Sequence, residues 1–420
     1  MRSFEKIIND NNSSKLIELN GLIEIKAGGG SMFSLGRSCN TSACDITRSD
    51  IVIDGSNAQI IVNIDDMLYS DYSIIRIMPE ATNITIKNLN IKLVVNHSIN
   101  SDKAIYAIYN YAEGVVLENV HIYMHSEAQI NMFGIGCYGD KSDRWGTKGD
   151  NITIVNSTIK VDCLPSSFTH ACRCYGVYID KADNVSIQNC NIKSVIDGIG
   201  KDQVATGIYT CGKFGRFINN NIKASAKHPK AILREKAYAV GFHNDGEYSI
   251  ISNNNIIGER GGYCIGLLNE NKAKFANING NKIHATHSVV GCGIKNLAND
   301  VIINSNILTC TCRNAKILDH EAGASIISNN YIRVLLGRAK EMTGCGIYAV
   351  GRRVRGNTIE GNVIRQALNC GIYSDPNCGV ISKSNIVFDY ENNFKITTIK
   401  EHPEFVRMFD EKNIKSIKED

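Results

Sequence analysis

The chain has 420 residues, of which 43% are hydrophobic and 21% are charged, and its formal net charge is +4. This composition is too apolar for an intrinsically disordered protein, and the mild charge gives no reason to expect a nucleic-acid partner. No stretch approaches the ~18 apolar residues of a membrane-spanning helix, and the start, MRSFEKIINDNNSSK, lacks the apolar segment of a signal peptide. We therefore expect a soluble chain that has no membrane partner.

Two residue types dominate the composition, because 47 Asn and 60 Ile make up a quarter of the chain. Ile fits a buried pleated strand, whereas Asn tolerates left-handed backbone and makes side-chain hydrogen bonds in turns. A chain rich in both predicts many short strands joined by tight turns.

A first motif recurs along the chain with the pattern Ile-x-Asn-x-Asn-Ile. Its best copies, in chain order, are residues Ile86 to Ile91, Ile187 to Ile192, Ile251 to Ile256 and Ile302 to Ile307. Looser copies lie between them, so that successive copies are about 22 to 37 residues apart, which is a spacing typical of solenoids.

A second motif alternates with the first and reads Gly-Ile-Tyr or a close variant. Its copies end at Tyr109, Tyr178, Tyr209, His243, Lys295, Tyr348 and Tyr373. Each period therefore holds at least two short strands and no helical pattern, which argues against a βαβ array or consecutive hairpins. Stacked coils satisfy the backbone hydrogen-bonding groups of these strands, because each strand pairs in parallel with its equivalent in the next coil, about 4.8 Å away.

These repeats and the segment Ile51-Val52-Ile53-Asp54-Gly55-Ser56-Asn57-Ala58 resemble the single-stranded right-handed parallel β-helix proteins of the pectate-lyase-like superfamily. The resemblance covers roughly residues 15 to 390 and implies an all-β solenoid of about 11 or more coils. The superfamily includes polysaccharide lyases, glycoside hydrolases, uronate epimerases, phage tailspikes and non-catalytic binding modules, so its fold does not fix the function.

The resemblance also implies structures that close the two ends of the solenoid. Residues 1–14 are predicted to form an N-terminal helical cap, since Phe4, Ile7 and Ile8 have helical spacing. Residues 391–420 are charged, lack the repeat and are predicted to form a tail that covers the other end.

The 15 cysteines are interpreted mainly as buried apolar filler. Alternation from the inward Ile predicts that Cys292, Cys345 and Cys370 line the interior, together with Cys264. The pairs Cys172-Arg-Cys174 and Cys310-Thr-Cys312 lack zinc-knuckle spacing, so no metal ligand is assigned. Reduced cysteines favour a cytoplasmic protein or a phage particle assembled in a cell, although action on polysaccharides would favour an extracellular target.

Outward positions of the Gly-Ile-Tyr strands supply the candidate binding residues. Stacking aligns the third residue of each copy along one face, and aromatic faces with polar tips suit sugar rings. The predicted substrate-binding tyrosines are Tyr109, Tyr178, Tyr209, Tyr348 and Tyr373. High strand propensity alone is the alternative reason for Tyr at these positions.

Catalytic candidates lie on the same face. Asp180 and Asp245 are two repeats apart, or roughly 9 to 10 Å between backbones, which suits the acid and base of an inverting glycosidase. His243 would act as a base near neutral pH, and Lys295 would neutralise a uronate or fix the polymer.

Basic residues are concentrated between Thr206 and His243, where seven Lys and Arg side chains accompany one acid, Glu235. This run predicts attraction to acidic polymers and makes Arg234 a candidate substrate contact. Solubilisation of an apolar solenoid is the alternative explanation.

The leading hypothesis is a carbohydrate-active β-helix that binds and cleaves a polysaccharide, with an acidic polymer favoured, by lyase or glycoside-hydrolase chemistry. A non-catalytic binding, adhesion or phage-particle solenoid is the second hypothesis. A uronate C5-epimerase is the third, since Gly241, Phe242, His243 and Asp245 match the Tyr-Gly-Phe-Asp-Pro-His-Asp motif of alginate epimerases without its Asp-Pro step. Calcium is conceivable but no carboxylate cluster assigns it, and the chain is expected to be a monomer or a homotrimer.

Overall fold

The computed structural model describes residues 4–9, 15–27, 41–65, 68, 70–96, 102–139, 149–165, 171–199, 202–227, 237–334, 343–350, 355–367, 370–374 and 380–389. These residues form one short helix, Phe4–Asn9, and 36 strands. Every strand pairing among them is parallel. The strands form a 12-stranded sheet, named sheet 1, and a 24-stranded sheet with two arms, named sheets 2 and 3, around one apolar interior.

Sheet 1 contains the Gly-Ile-Tyr strands and has 12 members. They are Thr41–Ile46, Tyr72–Ile77, Ala104–Asn110, Asn131–Tyr138, Cys172–Asp180, Gln203–Thr210, Ala237–Asn244, Tyr263–Asn269, Val290–Asn296, Asn314–His320, Thr343–Ala349 and Cys370–Ser374.

Sheet 2 contains short strands that follow sheet 1 in each coil. They are Ile84–Lys87, Val116–Glu118, Thr153–Val155, Ser186–Gln188, Arg216–Ile218, Ile250–Ser252, Asn277–Asn279, Ile302–Asn304, Ile326–Ser328, Thr358–Glu360 and Ile381–Lys383.

Sheet 3 completes each coil and leads back to sheet 1. Its strands are Asn90–Val95, His121–Ser126, Thr158–Cys163, Asn191–Asp197, Asn221–Lys227, Asn255–Glu259, Lys282–Thr286, Ile307–Thr311, Tyr331–Val334, Val363–Ala367 and Ile386–Asp389. Two longer strands, Leu16–Ala27 and Ile51–Ile64, join sheets 2 and 3 at the N-terminal end.

The chain therefore makes one circuit of sheets 1, 2 and 3 per coil, and the 12 strands of sheet 1 mark 12 successive coils. This arrangement confirms the predicted all-β, right-handed parallel β-helix of about 11 or more coils.

Asparagine turns the chain at the corners, as its abundance predicts. Ten of the 21 described non-glycine residues with positive φ are Asn, and they include Asn88 and Asn253 between sheets 2 and 3. Beside this corner a buried ladder of side-chain amides links successive coils through Asn220, Asn254, Asn281, Asn306, Asn330, Asn362 and Asn385, with Nδ2 to Oδ1 distances of 2.9 to 3.0 Å. Each amide both donates and accepts, so the ladder satisfies polar groups inside the solenoid.

The glycine of the second motif is required because the backbones of successive coils approach closely there. A Cβ on Gly207 would lie 2.3 Å from Cγ2 of Ile222 and 2.5 Å from the carbonyl oxygen of Gly241. Gly241 meets Ile256 and Gly266 in the same way. The two sequence motifs are thus halves of one contact, in which the Ile of sheet 3 packs against the Gly of sheet 1.

That glycine position also shifts the alternation of sides by one residue, which makes the predicted position of two cysteines wrong. Cys292 and Cys345 are buried but pair with Ile265 and Lys316 in the outer register of sheet 1, so they do not line the interior. The motif copy at Ile302 to Ile307 is offset, since both of these Ile side chains are exposed by over 40% while Ile303 and Leu308 are buried.

The helix Phe4–Asn9 lies against the first strand of sheet 1. Its Ile8 is fully buried, Asn9 Nδ2 donates to the carbonyl oxygen of Asp45 at 2.6 Å, and Ile7 is exposed. The predicted boundaries of the cap remain predictions, and the predicted tail, residues 391–420, lies outside the described residues. No helix in the described ranges has the length and apolarity to cross a membrane.

Candidate functional site

From the strand Ala104–Asn110 onwards, the outer face of sheet 1 carries three parallel columns of side chains, because equivalent residues of successive coils stack in register. The first column contains Tyr106, Phe133, Tyr175, Thr206, Val240, Ile265, Cys292, Lys316 and Cys345. The second contains Tyr109, Gly136, Tyr178, Tyr209, His243, Leu268, Lys295, Asp319, Tyr348 and Tyr373. The third contains Tyr111, Tyr138, Asp180, Cys211, Asp245, Glu270, Leu297 and Glu321.

The coils from Ala104–Asn110 to Gln203–Thr210 form what we name the aromatic half of this face. The Tyr106 and Phe133 rings stack with centroids 4.7 Å apart, and Phe133 stacks on Tyr175 at 5.1 Å. Tyr106 and Phe133 are buried, with exposures of 7% and 8%. The rings therefore pack mainly against one another, and burial raises the pKa of Tyr106 above its usual range.

Asp180 belongs to the aromatic half. The Cys211 thiol donates to Asp180 Oδ1 at 3.0 Å, and burial together with this hydrogen bond raises the pKa of Cys211 to about 12. The carboxylate also raises the pKa of Tyr138, after the larger effect of burial. Asp180 is separated from Asp245 by the coil that carries Cys211, as the predicted spacing of two repeats requires.

The coils from Ala237–Asn244 to Asn314–His320 form the charged half. His243 Nε2 lies 3.5 Å from Glu270 Oε1, and Lys272 Nζ lies 3.5 Å from Asp245 Oδ2. The edge of Tyr209 meets the His243 ring with centroids 4.9 Å apart, so the two halves of the face touch here.

Asp245 and Glu270 occupy adjacent coils of the third column but have opposite pKa shifts. Burial raises the pKa of Asp245, and the Glu270 charge adds to this while Lys272 and His243 oppose it. The hydrogen bond from His243 lowers the pKa of Glu270 against the effect of burial, with help from Lys295. Two carboxyl groups whose environments separate their pKa values can divide the acid and base roles of a reaction.

Two further ion pairs extend the charged half towards the C-terminal coils. Lys295 Nζ lies 3.5 Å from Glu321 Oε1, and Lys316 Nζ lies 3.7 Å from Asp319 Oδ1. Burial lowers the pKa of Lys295, but Asp319 and Glu321 reverse this and leave it raised, so this side chain stays charged. Lys316 also lies over the Tyr348 ring, 3.7 Å from its centroid.

A second buried amide ladder supports the charged half from inside the solenoid. Asn244 Nδ2 donates to Asn269 Oδ1 at 2.7 Å, and Asn269 Nδ2 donates to Asn296 Oδ1 at 2.7 Å. Asn244 and Asn269 directly precede Asp245 and Glu270 in the chain. The ladder therefore fixes the register of the two carboxyl groups.

The predicted tyrosines differ in how far they can reach a ligand. Tyr109, Tyr348 and Tyr373 are buried, with exposures of 5%, 3% and 1%, and Tyr348 stacks on Tyr373 at 5.1 Å. Tyr178 and Tyr209 are half-buried and stack at 4.9 Å. Of the five, these two are the ones that offer ring area to a sugar.

Among the described residues of the basic run, the side chains do not form one patch, because one coil carries consecutive residues around all three sheets. Lys213 pairs with Glu247 at 2.9 Å beside sheet 2, whereas Lys223 pairs with Glu259 at 3.0 Å on sheet 3. Lys227 pairs with Asp197 at 3.1 Å, also on sheet 3. Arg234 lies outside the described residues.

Several residues of the charged half were missed from the sequence: Glu270, Lys272, Lys316, Asp319 and Glu321. Their coils replace Gly-Ile-Tyr with Gly266-Leu267-Leu268 or Lys316-Ile317-Leu318-Asp319. Aligning the buried Asn269 with Asn244 would have placed Glu270 beside Asp245. Phe242, matched to the epimerase motif, is fully buried and packs against Phe217 at 4.8 Å, so it serves the core.

The fold and this face define a right-handed parallel β-helix with paired acids and bases along one sheet. No protein-family model matches the chain, and no curated protein matches it in sequence.

Solved structures similar to this chain include a tailspike of an E. coli bacteriophage in complex with a pentasaccharide, at 11% identity and a TM-score of 0.49 over 91% of this chain and 61% of that one. The periplasmic alginate epimerase AlgG has 9% identity and a TM-score of 0.47 over 89% of this chain and 85% of that one. The Dettilon tailspike protein has 14% identity and a TM-score of 0.39, and the match covers 81% of this chain and 62% of that one.

Proposed function

We propose that this protein binds a polysaccharide along the outer face of sheet 1 and hydrolyses its glycosidic bonds with Asp245 and Glu270. The observation that carries this proposal is the placement of the two carboxyl groups on adjacent coils with their pKa values shifted apart. Asp245, with the raised pKa, is the proton donor to the leaving oxygen, and Glu270, with the lowered pKa, is the ionised partner.

The coil spacing bears on the stereochemistry. Adjacent parallel strands are about 4.8 Å apart, close to the ~5 to 5.5 Å between the carboxyl groups of retaining glycosidases. Asp180 and Asp245, two coils apart, would be nearer to the spacing of an inverting pair, but Asp180 is engaged by Cys211. We therefore favour Glu270 as nucleophile, His243 as the group that keeps it ionised, and retention of configuration.

The charge balance favours neutral sugars over uronates. Within the aromatic and charged halves, the second and third columns hold five acids, Asp180, Asp245, Glu270, Asp319 and Glu321, against the cations Lys272, Lys295 and Lys316 around them. Lys295 and Lys316 are already paired with acids. A lyase or an epimerase needs a cation to neutralise the substrate carboxylate, so these alternatives have less support than hydrolysis.

A non-catalytic binding solenoid is the second candidate, favoured by a separate observation. The acids of the charged half lie in ion pairs, and Tyr109, Tyr348 and Tyr373 are buried. Such self-neutralised pairs are also typical of a surface that only supports the fold.

The test is incubation of the full chain with neutral and acidic polysaccharides, with reducing ends and unsaturated products measured separately. We expect new reducing ends from the wild type, and a loss of about 10²- to 10⁴-fold in Asp245→Asn and Glu270→Gln. Glu259→Gln is the matched control, because its carboxylate is also paired, with Lys223 at 3.0 Å, but on sheet 3. Unsaturated products would show lyase chemistry and contradict the proposed hydrolysis. Binding without any products would favour the non-catalytic binding solenoid.

A further inference from the structure

Three cysteine side chains meet inside the solenoid at the corner where sheet 3 leads back to sheet 1. Cys163 ends the strand Thr158–Cys163, and Cys172 and Cys174 lie at the start of the strand Cys172–Asp180. Their Sγ atoms all lie within 4.8 Å of one another, and Cys163 and Cys172 are 3.2 Å apart. All three residues are fully buried.

The neighbouring coils do not repeat this arrangement. Ser126 and Ile196 are the partners of Cys163 in the adjacent coils, and Met132 and Ala205 are those of Cys174. The two adjacent coils thus fill this corner without a thiol at these positions. The three thiols belong to one coil, and they form the one group of three close metal-ligating side chains among the described residues.

A second observation at the same corner is an acceptor without a donor. Gln203 is fully buried and pairs in register with Cys172 in the next coil. Its Nε2 donates to the carbonyl oxygen of Gly198 at 2.6 Å, whereas its Oε1 has no hydrogen-bond partner among the described residues. Buried amide oxygens are normally satisfied, so this atom indicates a missing partner next to the thiols.

We propose that Cys163, Cys172 and Cys174 bind one thiophilic d10 metal ion, Cu(I) or Zn(II). Metal–sulfur bonds of about 2.3 Å in a three-coordinate site separate the sulfur atoms by about 4 Å, which lies within the observed span. Thiolates select these soft ions over hard cations. Three ligands suffice for Cu(I), and Gln203 is the neighbouring group that offers an oxygen to Zn(II), which prefers four.

Binding exchanges protons for metal and transfers no electrons, since each coordinated thiol releases its proton to solvent. The bound ion would tie sheet 3 to sheet 1 in the coil that carries Asp180.

The test is titration of the reduced, full-length protein with Cu(I) and, separately, with Zn(II), each in competition with a chromophoric chelator. We expect one tightly held ion per chain and loss of that ion in Cys163→Ser, Cys172→Ser and Cys174→Ser. Cys190→Ser is the matched control, because Cys190 is also buried, at 2% exposure, but lies outside the cluster. It should bind the metal as the wild type does.

Either metal bound with this dependence supports the site, and the preferred ion tells three-coordinate from four-coordinate binding. X-ray absorption at the metal edge of the loaded wild type gives an independent result that needs no variant. A first shell with three sulfurs at about 2.3 Å supports the proposal. It would be overturned by a shell without sulfur, or by metal retention in the Cys163→Ser/Cys172→Ser/Cys174→Ser variant equal to that of the wild type.

Discussion

The aromatic half and the charged half of the sheet-1 face share one scaffold but use their outer columns differently. In the aromatic half the rings of Tyr106, Phe133 and Tyr175 stack on one another, and the side chains of Tyr106 and Phe133 are almost fully buried. In the charged half the same columns carry ionisable groups, and Asp245 and Glu270 have perturbed pKa values. The coil therefore fixes where a side chain lies, and the chemical type of that side chain decides whether it contributes to stability or to reactivity.

The interior beneath the two halves is built alike, so the difference lies in the outer columns. Gly207 and Gly241 make equivalent close contacts below the aromatic and the charged half. Substitutions in the two halves should therefore separate into those that cost stability and those that cost activity.

The largest effect is expected in the aromatic half. Phe133→Ala should lower the free energy of unfolding by about 3 to 5 kcal/mol, because the buried ring stacks with two others. Denaturant unfolding measures this. Tyr248→Ala is the control, since Tyr248 also stacks with two rings but is 43% exposed, and it should cost about 1 kcal/mol. Equal costs would mean that the aromatic half is not a packed cluster.

The next effect concerns the scaffold common to both halves. Gly241→Ala should cost about 3 kcal/mol, because the new Cβ would stand 2.5 Å from Cγ2 of Ile256 and 2.7 Å from the carbonyl oxygen of Gly266. In Gly21→Ala the new Cβ would have no atom within 4 Å, so the substitution only places Ala at a φ of +78°. This should lower the free energy of unfolding by about 1 kcal/mol. Thermal unfolding of both variants checks the difference, and a tolerated Gly241→Ala would refute the close contact.

A smaller effect is expected from the amide ladder below the charged half. Asn269→Ala leaves the Asn244 donor and the Asn296 acceptor without their partner and should cost about 2 kcal/mol. Asn255→Ala, which breaks an exposed amide contact with Asn221, should cost less than about 0.5 kcal/mol. The two unfolding curves in urea measure this difference. Equal costs for the two variants would contradict the role of the ladder in fixing Asp245 and Glu270.

The smallest effects concern pH and have opposite signs for the two carboxyl groups. The raised pKa of Asp245 means that its ionised form costs stability above the unfolded pKa near 4, so Asp245→Asn should raise the melting temperature at neutral pH, and this gain should vanish in acid. The lowered pKa of Glu270 means that its charge stabilises the fold at neutral pH, and this is lost as pH falls through the folded pKa. Glu270→Gln should therefore lower the melting temperature at neutral pH by a few degrees at most. Shifts in the same direction for both variants would contradict the separation of roles.

The sequence predicted the fold because Ile, Asn and Gly repeat at every coil and have local physical reasons to do so. It placed His243, Asp245 and Lys295 on one face for the same reason. Glu270 and Asp319 were not selected from the sequence, because their coils depart from the motif. The prediction that Cys292 points inward is wrong, because the glycine position shifts the alternation of sides by one residue. Burial of Tyr348 and the pairing of Lys223 depend on contacts between coils, which spacing along the chain does not contain.

The most direct test of the central claim, that the charged half of sheet 1 is the reactive surface, is a crystal structure of Glu270→Gln soaked with an oligomer of the polysaccharide that the protein binds. We expect sugar rings to lie across His243 and Asp245, with one glycosidic oxygen within hydrogen-bonding distance of the Asp245 carboxyl group. Sugar bound on sheet 2 or sheet 3, with none at Asp245, would contradict the account.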